Sequence, residues 1–109
     1  MGKFVITKKE CGKFQVCLKS NTGQVLLTSQ ELRSKISCRK AIEQLRTYTQ
    51  EVDKFHKKTA TDWELYFYLK STNGRTIGIS SRFPSALARD QAIKMIQKLA
   101  PNAFIEDQC

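Results

Sequence analysis

Apolar and polar side chains alternate in two stretches of the chain, and each stretch runs into a turn that contains glycine. Residues 14–19 lead into Asn21-Thr22-Gly23, and residues 65–70 lead into Asn73-Gly74. A period of two predicts a strand with one face on a core. Glycine takes the positive φ that a tight hairpin needs. The pattern therefore predicts two β-hairpins, whose second strands lie at about 24–29 and 75–80.

The period of the pattern becomes helical after each hairpin. Apolar side chains recur every three or four residues at Cys38, Ala41, Ile42, Leu45 and Tyr48, and again at Ala92, Ile93, Ile96 and Leu99. This spacing places them on one face of an amphipathic helix. Because a serine oxygen accepts from first-turn amides, Ser34 or Ser37 can cap the first helix and Ser85 the second. Pro101 ends the second helix.

The two units are copies of one another. Residues 18–23 return as 69–74, an offset of 51 from Gly23 to Gly74, and Ala41-Ile42 falls on Ala92-Ile93 at the same offset. A unit of about 50 residues is too short to bury a core comfortably, whereas two units can share one. We therefore predict one domain, 1–109, with internal repeats 2–53 and 54–109.

Further strands are expected before and after these units. The pattern indicates opening strands at 3–8 and 54–59, a return strand at 52–55 that continues into the second copy, and a closing strand at 103–106. Because no linker rich in proline, glycine or serine divides the copies, they should share one layer. The predicted class is α+β, with two tandem β-β-β-α-β repeats in one antiparallel sheet and two helices packed on one face.

The charge of the chain favours an anionic partner. Its 109 residues carry a formal net charge of +9. Residues 1–53 have ten Lys and Arg against five Asp and Glu, and residues 54–109 have nine against five. This even excess fits a polyanion, although it also serves solubility. The apolar run at the N-terminus is too short for a signal peptide or a membrane span, so we expect a cytoplasmic protein with no membrane contact.

Catalytic chemistry finds little support in the sequence. The four cysteines (Cys11, Cys17, Cys38 and Cys109) form no C-x-x-C pair and accompany a single histidine, so no metal site is predicted and the thiols are expected to be buried or incidental. No phosphate-binding, dinucleotide or hydrolase motif occurs. The single histidine, His56, lies among Lys54, Lys57 and Lys58 in a predicted strand and belongs to no hydrolase motif. We predict no catalytic residue, no cofactor and no enzymatic activity.

Five segments carry a resemblance to a known family: residues 18–29, 34–35, 57–60, 66–70 and 77–81. In these segments, and over essentially its whole length, the chain resembles the YegP-like proteins. These are small bacterial tandem-repeat proteins grouped under a domain of unknown function. The resemblance implies a single sheet in which the C-terminal strands are exchanged between repeats. It implies no activity, ligand or catalytic residue.

One predicted surface has side chains suited to binding. The strand residues that alternate with the core-facing residues should lie on the sheet face opposite the helices. They include Gln15, Cys17, Lys19, Tyr66, Tyr68 and Lys70. Bases stack on tyrosine rings while lysines hold phosphates, so this face fits single-stranded nucleic acid. Val25 and Leu27, also assigned to this face, fit a protein partner or a homodimer equally well.

The sequence thus predicts a small non-enzymatic binding or interaction module whose partner is unidentified. The alternative is single-stranded RNA or DNA binding through the basic, tyrosine-bearing sheet face. The candidate residues for either partner are Lys19, Tyr66, Tyr68 and Lys70, with support from Lys54, Lys57 and Lys58.

Overall fold

The computed structural model describes residues 2–72 and 74–108, so Asn73 of the second predicted turn and Cys109 lie outside the described residues. Within these ranges there are seven strands and two helices. The strands are β1 (Lys3–Lys8), β2 (Phe14–Lys19), β3 (Val25–Thr28), β4 (Phe55–Thr59), β5 (Leu65–Lys70), β6 (Thr76–Ser80) and β7 (Phe104–Asp107). The helices are α1 (Lys35–Tyr48) and α2 (Ala86–Leu99).

The strands form one sheet in the order β4-β5-β6-β3-β2-β1-β7. Neighbouring strands are antiparallel except at one edge, where β7 runs parallel to β1. The sheet is therefore mixed, and the prediction of an antiparallel sheet is wrong at β7. The reason is physical: alternation of side chains fixes which face each residue occupies, but it carries no information on the direction of the neighbouring strand.

Both helices pack on the same face of this sheet. Their inward residues join those of the strands in one apolar cluster that includes Phe4, Val16, Leu18, Phe67 and Leu69 with Cys38, Ile42, Leu45, Ala92, Ile93 and Ile96. Each helix begins at a serine cap, as predicted. Ser34 Oγ accepts from the Ser37 amide at 3.1 Å, and Ser85 Oγ accepts from the Ala88 amide at 3.2 Å. Neither helix of the described ranges is long and apolar enough to cross a membrane.

The return strand predicted at 52–55 is not formed. Val52–Lys54 is instead a short 3₁₀ turn, in which the Lys54 amide donates to the Glu51 carbonyl at 3.1 Å. The chain enters β4 at Phe55, so the residues that could have made a return strand are used to begin the next one. As a result β4 pairs only with β5 among the described strands, and its other edge is open.

The registers of the two edge pairs match. β1 pairs with β2 through Phe4↔Leu18, and β4 pairs with β5 through Phe55↔Leu69, at positions 51 residues later. The β1 pair carries β7 on its outer side, whereas the β4 pair carries no described strand there. The two ends of the sheet thus differ by one strand.

Leu27 lies in the core and not on the opposite face as predicted. It pairs with Leu18 and is 1% exposed, while Thr28 pairs with Cys17 on the helix-free face. A register shift between Leu18 and Lys19 explains the error, because an irregularity in a strand breaks the simple alternation of faces. The apolar strip predicted through Leu27 is therefore absent from that face.

Candidate binding face

The helix-free face of the sheet carries an aromatic and basic group of side chains at its β4–β6 end. We call this the aromatic face, and it consists of His56, Lys58, Tyr66, Tyr68, Lys70 and Ile79. Cross-strand pairing brings them together: His56 lies opposite Tyr68, Lys58 opposite Tyr66, and Ile79 on the other side of Tyr68. Ile79 is 46% exposed, which is unusual for a branched apolar residue in a strand near the middle of a sheet.

Tyr68 is already engaged by its neighbours. The His56 ring stacks on it with centroids 5.3 Å apart and planes 13° apart, and the Lys70 ammonium lies 5.4 Å from the centre of the Tyr68 ring. A stacked ring and a cation–π contact both hold the tyrosine in place. Tyr66 has no comparable ring contact among the described residues. Of the two rings, a ligand could therefore stack on Tyr66 without displacing a ring contact with another described residue.

Lys57 lies on the wrong side of the sheet for this face. It pairs with the core residue Phe67, and its Nζ is 3.2 Å from Asp90 Oδ1 on α2. Hydrogen bonds from Arg89 first and Lys57 second hold the pKa of Asp90 below its ordinary value. Because successive residues of a strand point to opposite faces, Lys57 and Lys58 cannot both join the tyrosines. Lys54 precedes the strand in the 3₁₀ turn.

Lys19 is also separated from the tyrosines. It lies on β2, whereas Tyr66 and Tyr68 lie on β5, with β6 and β3 between these strands. Three inter-strand steps of about 4.8 Å place Lys19 roughly 14 Å away. The structure thus brings Tyr66, Tyr68, Lys58 and Lys70 together and leaves Lys19 and Lys57 apart from them.

The other end of the same face has different chemistry at matching positions. Residues 51 positions before the aromatic group are Val5, Thr7, Gln15, Cys17, Lys19 and Thr28, with no aromatic ring among them. Lys3 Nζ pairs there with Glu106 Oε1 of β7 at 3.1 Å. Hydrogen bonds from Gln108 and then Lys3 hold the pKa of Glu106 low, and burial raises the pKa of the Cys17 thiol. The aromatic and basic character therefore belongs to one end only.

Trp63 is an exposed aromatic residue that the sequence reasoning missed. It lies in the β4–β5 hairpin, where its amide donates to the Ala60 carbonyl at 3.0 Å, and it is 84% exposed with φ of 67°. A left-handed conformation costs a side-chain-bearing residue about 1–2 kcal/mol. The position 51 residues earlier is Gly12, with φ of 87°. Comparing the sequence with itself at an offset of 51 residues would have identified a tryptophan at a glycine position next to the strands of the aromatic face.

Side chains suited to metal or acid–base chemistry are dispersed. Over residues 2–72 and 74–108, no group of three His, Cys, Asp or Glu side chains could hold a metal ion. The His56 ring stacks on Tyr68, and none of the described carboxylates forms an ion pair with it. Of the described thiols, Cys11 is exposed, Cys17 half-buried and Cys38 buried. The arrangement offers a binding surface more readily than a reaction centre.

Comparison with known proteins places this geometry in a family. A model described as a domain of unknown function (DUF1508) matches residues 60–107. The UPF0339 protein YegP of Escherichia coli K12 is 30% identical over 106 residues, covering 97% of this chain and 96% of the relative. A UPF0339 protein of Pseudomonas aeruginosa is 29% identical over 106 residues, which again cover 97% of this chain and 96% of the relative. The resemblance found in the sequence is confirmed.

Solved structures of relatives share the fold. The solution NMR structure of YegP from Escherichia coli, a protein of unknown function, matches with a TM-score of 0.92 at 30% identity, covering 98% of this chain and 92% of that one. The solution NMR structure of a UPF0339 protein from Shewanella oneidensis matches with a TM-score of 0.91 at 30% identity, covering 97% and 90%. The α+β fold with one sheet and two helices is thus common to all three chains.

Proposed function

The chain belongs to the UPF0339 (YegP-like) family of unknown function, and from that premise we propose that it is a non-enzymatic interaction module that binds a protein through its aromatic face. In this proposal residues 2–53 and 54–109 are two copies of one β-β-β-α-β unit in a single domain, 1–109. The strand β7 is then the last strand of the second copy, exchanged onto the first. The chain acts in the cytoplasm.

The observation that carries the proposal is the contrast between matching positions at the two ends of the sheet. Tyr66 and Tyr68 lie where the other end has Gln15 and Cys17, in the same register. A position that accepts glutamine or cysteine does not need tyrosine for folding. Aromatic residues are enriched in protein interfaces and dominate their energetics. The half-exposed Ile79 beside Tyr68 extends the same surface.

Among residues 2–72 and 74–108 the side chains suited to acid–base chemistry are dispersed, and this arrangement supports a non-enzymatic role. General catalysis needs a base held within hydrogen-bonding distance of a proton and oriented by a third group. The one histidine of the chain, His56, is held instead by stacking on Tyr68.

Single-stranded nucleic acid is the second candidate partner, favoured by the two lysines that flank the tyrosines. Lys58 lies opposite Tyr66, and the Lys70 ammonium lies over Tyr68. Two phosphate contacts predict a slope of about −1.4 for log affinity against log salt. We rank this partner second because Lys57 and Lys19, which would extend the basic track, lie elsewhere.

A photo-crosslinking experiment decides between the two partners. We expect p-benzoylphenylalanine at position 79, in the full chain expressed in its own organism, to form discrete adducts that nuclease leaves unchanged and in which mass spectrometry finds a crosslinked peptide of a second protein. The matched control is position 87, because Leu87 is 69% exposed on α2 at the opposite side of the sheet. Adducts that nuclease shortens or removes would replace the protein partner by nucleic acid. If positions 79 and 87 form the same adducts in equal amounts, the proposal that the aromatic face is a specific binding surface is contradicted.

A further inference from the structure

The open edge of β4 is a second feature of the same end of the sheet. We propose that it binds an extended acidic segment of a partner protein, which adds to the sheet as a further strand parallel to β4. This inference rests on the proposed interaction function and names the chemistry of the partner. The addition of a strand at a sheet edge is a common mode of peptide recognition, in which main-chain hydrogen bonds give affinity and side-chain pockets give specificity.

The structure contains its own template for the added strand. At the matching edge β7 lies parallel to β1, in the register Phe4↔Ile105 and Ile6↔Asp107. The Gln108 amide donates to the Ile6 carbonyl at 2.9 Å. Lys57 on β4 corresponds to Ile6 on β1, because Ile6 pairs with Val16 and Lys57 pairs with Phe67, each 51 residues later. Its carbonyl is therefore aimed at the open edge.

A groove beside β4 is available for an apolar side chain of the added strand. It has a volume of about 330 Å³ and is lined by Phe55, Lys57, Asp90, Ile93, Lys94 and Gln97. At the matching edge Ile105, in register with Phe4, packs against the core. Phe4 and Ile42 are 0% exposed there, whereas Phe55 and Ile93, 51 residues later, are each 8% exposed. The groove thus corresponds to a place that an isoleucine fills at the other end.

The charges around this edge select an acidic occupant. On β7 the two acids are paired: Glu106 with Lys3 at 3.1 Å and Asp107 with Lys35 at 3.1 Å. Around β4, Lys54 lies at the position that matches Lys3, whereas Ala86 lies at the position that matches Lys35. Lys58 of β4 and Lys94 of the groove add basic side chains, and Lys54, Lys58 and Lys94 form no ion pair with any described residue. Asp90 is the single acid of the groove, and it is shared between Lys57 and Arg89. An apolar residue followed by acids fits this pattern.

A second copy of the chain is a poorer occupant than an acidic partner. Two copies would each bring a formal net charge of +9 to the contact. Like charges that face each other in an interface oppose binding and slow association. The acidic β7 of a second copy is also already paired in its own sheet. An acidic segment of a different protein meets neither obstacle.

The probe for this site is a capped peptide with the sequence of residues 103–108, added to the isotopically labelled full chain. We expect the largest amide shifts at 55–59 and at Ile93. Methylation of the peptide nitrogen that matches Gln108 should abolish binding, because it removes the N–H group that would donate to the Lys57 carbonyl, as Gln108 donates to Ile6. Replacing both peptide acids by lysine should weaken binding by at least about tenfold.

Matched variants of the full chain test the role of charge. Lys94→Glu, in the groove, should weaken the binding of the peptide. Lys98→Glu, one turn further along α2 and outside the groove, should leave the affinity unchanged.

The proposal is overturned if β4 shows no amide shift at millimolar peptide, if the shifts lie only at β1 and β7, or if reversing the peptide charge does not change the affinity. A free protein that is already dimeric, with β4 amides protected, would make the occupant a second copy and overturn it too. If the peptide does not bind at β4 but position 79 still crosslinks to a protein, this inference fails while the proposed function holds.

Discussion

Ending the chain at Asn102, and so removing β7, is expected to lower the free energy of unfolding by about 2–4 kcal/mol. The strand covers Phe4 and Ile6, which are 0% exposed, and supplies the hydrogen-bonding partners of the β1 edge. Arg46 would also lose the Ala103 carbonyl, to which its Nη2 donates at 2.7 Å. Urea unfolding measures the loss, and hydrogen exchange should show it first at β1.

A charge-only variant is the control for this truncation. Glu106→Gln with Asp107→Asn keeps the strand and removes two partly exposed ion pairs, with Lys3 and Lys35. Such pairs contribute about 0–1 kcal/mol each, so most of the stability should remain. A truncated chain as stable as the full one, with β1 amides still protected, would contradict the assigned role of β7.

Replacing Phe67 by alanine is expected to cost about 3–5 kcal/mol, the usual range for a buried phenylalanine. Phe67 is 0% exposed, lies edge-on to Phe55 with centroids 5.6 Å apart, and stacks on Phe83 with centroids 6.0 Å apart. Because one cluster includes residues of both chain halves, the variant should unfold in a single transition at both ends of the sheet. Methyl signals of the buried residues Val16 on β2 and Leu69 on β5 report the two ends separately.

The next residue in the same strand is the control for Phe67. Tyr68→Ala removes a half-exposed ring on the opposite face and its contacts with His56 and Lys70. We expect a loss of about 1 kcal/mol or less from those contacts. Two separate transitions in the Phe67→Ala variant would show that each half has its own interior, in contradiction to a shared core.

The sequence predicted those elements whose pattern is regular. Residues 14–19 and 65–70 alternate cleanly, and β2 and β5 have the predicted positions. β1 also lies at the predicted 3–8, although Phe4-Val5-Ile6 is a continuous apolar run. Ser34 and Ser85 cap their helices because a serine before an apolar helical stretch is a local signal. Such features depend on the residues within a few positions of each other.

The features that the sequence did not predict depend on distant or irregular contacts. The parallel pairing of β7 with β1 joins residues about a hundred positions apart, and no local pattern encodes it. Leu27 changed face at a strand irregularity, and the return strand at 52–55 gave way to a 3₁₀ turn. For the candidate site, parity predicted Tyr66, Tyr68 and Lys70 correctly as neighbours on one face, but it could not tell that Lys19 lies three strands away.

The exchange rate of one backbone amide tests the open edge beside the aromatic face most directly. An open edge predicts that the Lys57 amide exchanges with solvent quickly in the free protein, while the Ile6 amide, at the matching position beside β7, is protected. Equal protection of the two amides would contradict it, because the Lys57 amide would then be covered by a strand other than the seven described strands of this chain.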